Sequence, residues 1–354
     1  MTQVDTAQTR QDIGRREAGS VTWQTRIRAV LRPGPWKRGL VLAALALLLG
    51  LLLLLHGQVP NRVGNIGSLV ETFLPWLGAF VPVLLAGALW RRSASALAAL
   101  LLPVVVWLSL FGPLLGDKSH PGSDLTVAEH NVGAENPDPA GTARELAATG
   151  VDVLALVELT EQDLGTYERG LAEAYPHHEV LGTVGLWSKL PLSDVQPVDT
   201  QQDAGPLAST KPAEVTLTYL RALRATVVTD HGPLAVYVAH LGSARVTPEV
   251  GFSTDSRDRN AQALGAALAA EQNPRVMLLA DMNGTVDDRA FAGVTAQMTS
   301  AQTSAGDGFG FSWPAAFPVV RIDQILVRGL KPTASWVLPA TSSDHLPVAA
   351  GISW

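Results

Sequence analysis

The chain has 354 residues, 47% of them hydrophobic, with a formal charge of −6 and no cysteine. That length favours about two domains, and the lack of cysteine excludes a disulfide framework, a thiolate metal site and a cysteine nucleophile. The net charge hides an asymmetry: residues 1–116 hold 11 Lys/Arg and 4 Asp/Glu (+7), whereas residues 117–354 hold the other 15 and 28 (−13). A domain at −13 is a poor match for a nucleic-acid polyanion, because that affinity rests largely on Lys and Arg neutralising phosphates. No stable nucleic-acid partner is therefore expected.

In chain order, residues 1–38 read as a basic tail carrying Arg10, Arg15, Arg16, Arg26, Arg28, Arg32, Lys37 and Arg38. An apolar run from Leu40 to Leu55 follows, and with its flanks (39–57) it approaches the roughly 17–25 residues that cross a hydrocarbon core. A second run covers 69–90, interrupted only by Glu71, and a third covers 94–115 after the Arg91–Arg92 turn. A signal peptide would share the basic start and Leu-rich core of the first run, but no small-residue cleavage site follows it, and two more apolar runs do. Pro75, Pro82, Pro103 and Pro113 are better tolerated in membrane helices than in soluble ones.

The expectation is three transmembrane helices. The tail and Arg91–Arg92 lie on one side, and the opposite loop (58–68) holds only Arg62. The positive-inside rule then puts the N-terminus in the cytoplasm and residues after 117 outside the cell membrane. Trp36 and Trp90 fall at the expected inner interface. Glu71 is expected at the outer end of the second helix as an interfacial residue, and residues 117–124 as a polar linker.

From Leu125 the pattern alternates strand, loop and helix, so residues 125–354 read as one extracytoplasmic α/β domain. Leu125–Val132, Val151–Leu156, Val184–Trp187, Ala225–Thr229, Leu234–Ala239, Val276–Ala280, Ile325–Val327 and Ala349–Ile352 are predicted strands. Helices are predicted over Thr142–Thr149 and Ser256–Glu271, with Gly150 ending the first.

Six short segments set polar groups at the ends of apolar strands, where α/β folds gather ligand groups. They contain Asn131, Glu158, His240, Asp281 with Asn283, Asp323, and Asp344 with His345. Each has a plain reading of its own, such as a turn residue for Asn131, an Asx turn for Asp281-Met282-Asn283-Gly284, or a paired structural carboxylate for Asp323 beside Arg321. As a set, carboxylates with an amide and no thiolate favour a hard cation such as Mg²⁺ or Mn²⁺. Two histidines from separate segments supply a base and a charge stabiliser. No P-loop, His-Glu-x-x-His or Gly-x-Ser-x-Gly motif is present.

In order and spacing the six segments resemble the endonuclease/exonuclease/phosphatase superfamily, which includes the deoxyribonuclease I-like enzymes. Asn131 ends the first strand, and Glu158 matches the metal-binding Glu after an apolar strand. Ala239-His240-Leu241 is similar to "THL", and Ala280-Asp281-Met282-Asn283 to "GDFN". Arg321-Ile322-Asp323-Gln324 is similar to "RIDY", and Ser343-Asp344-His345-Leu346-Pro347-Val348 to "SDHxPV". Phe311-Ser312-Trp313-Pro314 resembles the "TWP" segment that precedes "RID".

The resemblance implies a four-layer α/β/β/α sandwich with its site where the two sheets open. It also implies roles: Glu158 and Asn131 as metal ligands, with Asp344 on metal or water; His345 as general base, oriented by Asp323; Asp281 and Asn283 positioning phosphate and nucleophile; and His240 stabilising the transition state. Some members carry a second Glu beside the "THL" histidine, and none is placed here; His177-His178-Glu179 lies in roughly that region and reads as a surface loop. Three membrane helices ahead of such a domain resemble the actinobacterial membrane proteins of teicoplanin-resistance type. That layout implies a Mg²⁺-dependent phosphohydrolase acting on a lipid-linked phosphate such as undecaprenyl pyrophosphate, with a role in glycopeptide resistance. The alternatives are an extracellular nuclease, a sphingomyelinase-like phosphodiesterase and an inactive envelope sensor module.

Overall fold

The computed structural model describes residues 34–200, 220–248 and 250–354. Most of the basic tail expected over 1–38 therefore lies outside the described residues. The first helices are α1 (Leu40–Leu54), α2 (Ile66–Thr72), α3 (Phe80–Arg91) and α4 (Ala94–Phe111). Ser93 caps α4 by accepting a hydrogen bond from the Ala96 amide (3.1 Å), which satisfies one of the orphan donors of its first turn. Ala43, Ala46, Ala88, Ala96 and Leu100 pack these helices together.

Three straight spanning helices are not what these residues form. Among the described residues, only the stretch Ala94–Leu114 is, by length and composition, long and apolar enough to cross a bilayer as one helix. The second run breaks after Thr72, and Ile66–Thr72 meets Leu74–Trp90 at 72°, so it counts as a span only if the bent pair is one. The 15 residues of α1 rise about 22 Å, short of a hydrocarbon core of about 30 Å.

Glu71 supplies a physical reason for the bend. It is buried rather than interfacial, with its carboxylate against Arg289 of the α/β domain (2.9 Å). The bend lets this carboxylate meet a guanidinium on the domain, the pairing that a buried charge requires.

The α/β domain contains β1 (Leu125–Asn131), α5 (Pro139–Ala148), β2 (Val153–Val157), α6 (Glu161–Leu171), β3 (His177–Leu181), β4 (Val184–Ser188), β5 (Leu192–Pro197), β6 (Ala222–Thr229) and β7 (Gly232–His240). It continues through β8 (Arg245–Thr247), β9 (Gly251–Ser253), α7 (Asp255–Ala270), β10 (Val276–Asp281), α8 (Ala292–Thr295), β11 (Thr299–Ser300), α9 (Ala301–Ala305), β12 (Asp323–Arg328), β13 (Lys331–Val337) and β14 (Val348–Ser353). One six-stranded sheet has the order β13-β14-β1-β2-β4-β3 and the other β11-β12-β10-β7-β6-β5, while β8 and β9 form a separate hairpin.

Side chains alternate along each strand, and the core follows that period. Val127, Val153, Val157 and Leu186 of the first sheet meet Leu223, Val236, Met277 and Ile325 of the second. The alternate residues face outward. Leu154 and Leu156 pack under Leu146, Tyr167 and Leu171 of α5 and α6, and Leu278 and Leu326 pack under Leu264 and Leu268 of α7. The result is the expected four-layer sandwich. His177-His178-Glu179 belongs to edge strand β3 rather than to a loop; it pairs with β4, and His178 stacks on Trp187 (5.8 Å).

Residues 117–124 tie down onto the domain, through His120 N to Thr333 O and Asp124 N to Ile352 O (2.8 Å each). Further contacts come from the near ends of the helices: Asn65 Nδ2 to Phe252 O (2.8 Å), Trp76 Nε1 to Val319 O (2.7 Å), and Trp107 and Phe111 against Phe309.

Candidate active site

The site starts from strand register. In the second sheet β10 lies between β7, which is parallel to it, and β12, which is antiparallel, so Asp281 is paired with both His240 and Asp323. Three polar side chains thus form one row at the strand ends. The first sheet contributes Asn131 at the end of β1, and its Nδ2 donates to Asp281 Oδ2 across the sandwich (2.9 Å). Glu158 follows β2 with a φ of 62°, and its Oε1 reaches His240 Nε2 (3.4 Å) while its Oε2 accepts from the Ala134 amide (3.0 Å).

His345 enters from the loop before β14. Its Nδ1 lies 3.0 Å from both oxygens of buried Asp323, leaving Nε2 as the nitrogen that can exchange a proton. Ser312 fixes the start of β12 by accepting from the Ile322 and Asp323 amides (3.2 and 3.3 Å). Asp281 Oδ1 accepts from the Asn283 amide (2.8 Å), and Asn283 Nδ2 donates to Leu241 O (3.1 Å).

The electrostatics follow from packing carboxylates together out of water. Burial, reinforced by the charge of Asp323, pushes Asp281 up to about 7. Burial opposes a charge on His345, but the Asp323 carboxylate, with Asp281 and Asp344, outweighs it and lifts the ring to about 10. Burial also works against ionised Asp323, and the His345 charge and hydrogen bond bring it below its usual range. Beneath this row Glu129 is fully buried, with no hydrogen-bond partner among the described residues for either oxygen. Burial, then Asp323 and Asp281, hold it well above the carboxylate range.

Seven of the eight sequence-predicted residues converge: Asn131, Glu158, His240, Asp281, Asn283, Asp323 and His345. Asp344 lies at the edge of the row; it is exposed, its charge reaches His345, and its Oδ2 accepts from Trp313 Nε1 (3.3 Å).

Arg221 escaped the sequence reading. Its Nη2 sits 2.7 Å from the nitrogens of the His240 ring. The signal was available in the β6–β7 hairpin. Counting eight positions outward from the Thr229↔Gly232 pair that closes it sets 221 opposite 240, and the His240 amide indeed donates to Arg221 O (2.8 Å).

The sequence profile described as the Endonuclease/Exonuclease/phosphatase family matches residues 128–345, well over half of the chain. The chain belongs to this family. The family generally hydrolyses phosphoester bonds with the help of a divalent metal ion. No curated protein matches the chain.

Similar solved structures include a functionally unknown conserved protein from Enterococcus faecalis (14% identity, 65% of this chain and 99% of that one, TM-score 0.51). An endonuclease/exonuclease/phosphatase from Bacteroides vulgatus (16%, 66% and 99%, TM-score 0.50) and D. rerio TDP2 complexed with a single-strand DNA product (17%, 65% and 99%, TM-score 0.51) are also similar. At these identities the likeness is one of fold.

The donor set suits the family's divalent ion. It offers carboxylate and amide oxygens with imidazole and no thiolate, and Asp281 is a buried carboxylate whose charge is opposed by burial and by the neighbouring Asp323. Asp281, Asp323 and His345 bring one ligand atom each within 4.8 Å of one another. The Asp323–His345 hydrogen bond already engages two members of that trio. Glu158 is 29% exposed, its Oε1 shares His240 Nε2 with Asp281 Oδ2 (3.4 and 3.5 Å), and Asn131 Nδ2 donates to that same Asp281 oxygen (2.9 Å).

Proposed function

We propose that this chain is a membrane-anchored, Mg²⁺- or Mn²⁺-dependent phosphohydrolase that acts on a lipid-linked phosphate or pyrophosphate outside the cytoplasmic membrane. The observation that carries the reading is the docking of the apolar helices on the domain beside its catalytic row. Trp76 binds Val319 O and stacks on Phe311 (5.8 Å), in the same segment that supplies Ser312 and Trp313. Lys37, Arg38, Arg91 and Arg92 lie at the other end of the helices, where Ser93 Oγ donates to Arg38 O and the Ala94 amide to Pro35 O. Basic residues facing the cytoplasm leave the domain outside. The −13 balance of residues 117–354 supports a lipid phosphate over nucleic acid.

In this reading His345 Nε2 takes a proton from the attacking water, and Asp323 holds the ring and its tautomer. Asp281 and Asn283 position the water and the phosphate. His240 and Arg221 face the phosphoryl oxygens, where charge builds in the transition state. Glu158, Asn131 and Asp281 would hold the cation, with Asp344 at the rim. A bound cation would supply charge neutralisation, offsetting the carboxylates that keep His345 protonated, and would polarise the phosphoryl group.

The test is a panel of undecaprenyl pyrophosphate, other lipid phosphates, sphingomyelin and DNA, with EDTA and His345→Ala controls. Phosphate release from the lipid (pyro)phosphates alone, lost in both controls, supports the reading; cleavage of DNA instead would replace it with a nuclease. A role in glycopeptide resistance belongs to the same reading, and a deletion strain with unchanged teicoplanin sensitivity would remove it.

A further inference from the structure

Outside the helical segment, six large apolar side chains are exposed among the described residues: Val228, Val246, Val250, Trp313, Phe317 and Trp336. Scattered apolar residues need no explanation, but four of these six occupy two segments. Val246 (77% exposed) and Val250 (57%) lie on the β8–β9 hairpin, which follows His240 and Leu241. Trp313 and Phe317 (71%) lie on the loop that walls His345. The Trp313 ring is 6.5 Å from the His345 ring, and the Ala315 amide donates to Asp344 O (2.7 Å). β7, which leads into the hairpin, and β12, which the loop precedes, lie on either side of β10, and Arg245 of the hairpin is near enough to Arg221 for its charge to be felt there, so the two segments flank the row from opposite sides as two lips.

Each lip is also hooked to the helical segment. The hairpin is held by Phe252 N to Gly64 O (3.0 Å) and Asn65 Nδ2 to Phe252 O (2.8 Å). Gly64 and Gly251 pass so close that a Cβ on Gly251 would meet Gly64 Cα at 2.6 Å. The other lip is held through Trp76 and Val319.

Between the hooks runs α2, turned 72° from the helix after it. It buries Ser68, Glu71 and Thr72 against the domain and leaves Val63, Ile66, Phe73 and Trp76 exposed nearby. Exposed Arg62 and Arg245 flank the same rim. Apolar side chains edged by cations match the headgroup–acyl boundary of a phospholipid leaflet.

We propose that the two lips and α2 form one surface that enters the outer leaflet of the bilayer, so that the catalytic mouth opens toward the membrane plane and admits a lipid phosphate headgroup without its leaving the leaflet. This rests on the membrane-anchor reading above and adds the orientation of the domain on the membrane.

The cysteine-free sequence makes the test direct. Single variants Val246→Cys, Phe317→Cys, Val228→Cys and Leu101→Cys are labelled with an environment-sensitive fluorophore and placed, as full chains, in phospholipid nanodiscs with and without spin-labelled lipid. Leu101 lies in α4 and reports the anchor. Val228 lies at the end of β6 away from the site and reports water. The expected result is strong lipid quenching and a blue-shifted emission at 101, 246 and 317, several-fold above 228. Quenching at 101 with 246 and 317 matching 228 overturns the proposed orientation and leaves the anchor standing. No quenching at 101 overturns both.

Discussion

The docking of α2 on the domain yields a prediction that can be worked through contact by contact. The Glu71 carboxylate accepts from the Arg289 amide (3.1 Å) and from its Nε (3.0 Å to both oxygens), and Arg289 Nη2 also reaches His56 O (2.9 Å). Replacing Arg289 with Met removes the guanidinium and leaves a buried carboxylate with one amide donor and His56 at 3.6 Å. Orphaning one member of a fully buried pair costs about 3–5 kcal/mol. Arg289 is 33% exposed, so solvent screening brings the expected cost to about 2–3 kcal/mol. That corresponds to roughly a 30- to 150-fold rise in local opening, at about 1.4 kcal/mol per factor of ten. Hydrogen exchange on peptides spanning residues 64–76, in detergent or nanodiscs, reads that opening. The double variant Glu71→Gln/Arg289→Met should recover part of the protection, because no charge is then stranded. Equal protection in the wild type and in Arg289→Met would refute the idea that this ion pair fastens α2 to the domain.

Three further predictions concern the site. Arg221→Met should lower kcat by about 10²–10³, the effect of losing one transition-state donor, with Arg221→Lys intermediate; a change in KM alone would move Arg221 from transition-state contact to ground-state binding. In the metal-free protein, stability should fall as pH rises. Asp281, with its folded pKa raised to about 7, loses stability between about pH 4 and 7, and His345, raised to about 10, loses it between about pH 6.5 and 10; each gives a slope on the order of 1 kcal/mol per pH unit, and added Mg²⁺ should raise the Tm more at pH 8 than at pH 5.5. Glu129→Gln should stabilise the metal-free protein more at pH 8 than at pH 5, because it removes a buried carboxyl that unfolding would free to ionise; a pH-independent gain would assign the effect to packing.

The elements that carry the site were legible in the sequence because their strands are buried on both faces. Val153–Val157 and Val276–Asp281 are apolar runs ended by a single polar group, and that contrast marks where each strand stops. The edge strands carried no such contrast. β3 and β5 contain no fully buried residue, so their composition is that of loops and only their pairing makes them strands. Arg221 was missed for a related reason: its meaning lies in cross-strand register, which has to be counted out from the β6–β7 turn and is not shown by its neighbours in sequence. The helical segment misled because apolar composition reports solvent preference without reporting straightness. Glu71 stood in the sequence as the one charge in its run, but the partner that explains it, Arg289, lies 218 residues further on.

The helical segment also connects to the polar row of the candidate site through buried polar groups. Ser68 Oγ of α2 meets Asp288 Oδ1 (3.4 Å), the second oxygen of Asp288 accepts from Arg257 Nη2 (2.6 Å), and Arg257 Nη1 donates to Asn283 O (3.3 Å). Arg257 is fully buried, and a buried guanidinium persists only where carboxylates and carbonyls meet it. Asn283 has a φ of 50°, a conformation that the surrounding structure must hold in place. A helix whose neighbours extend into the apolar segment thus bears, through one residue chain, on the backbone of a residue of the candidate site. The helical segment is therefore part of the framework that shapes the site.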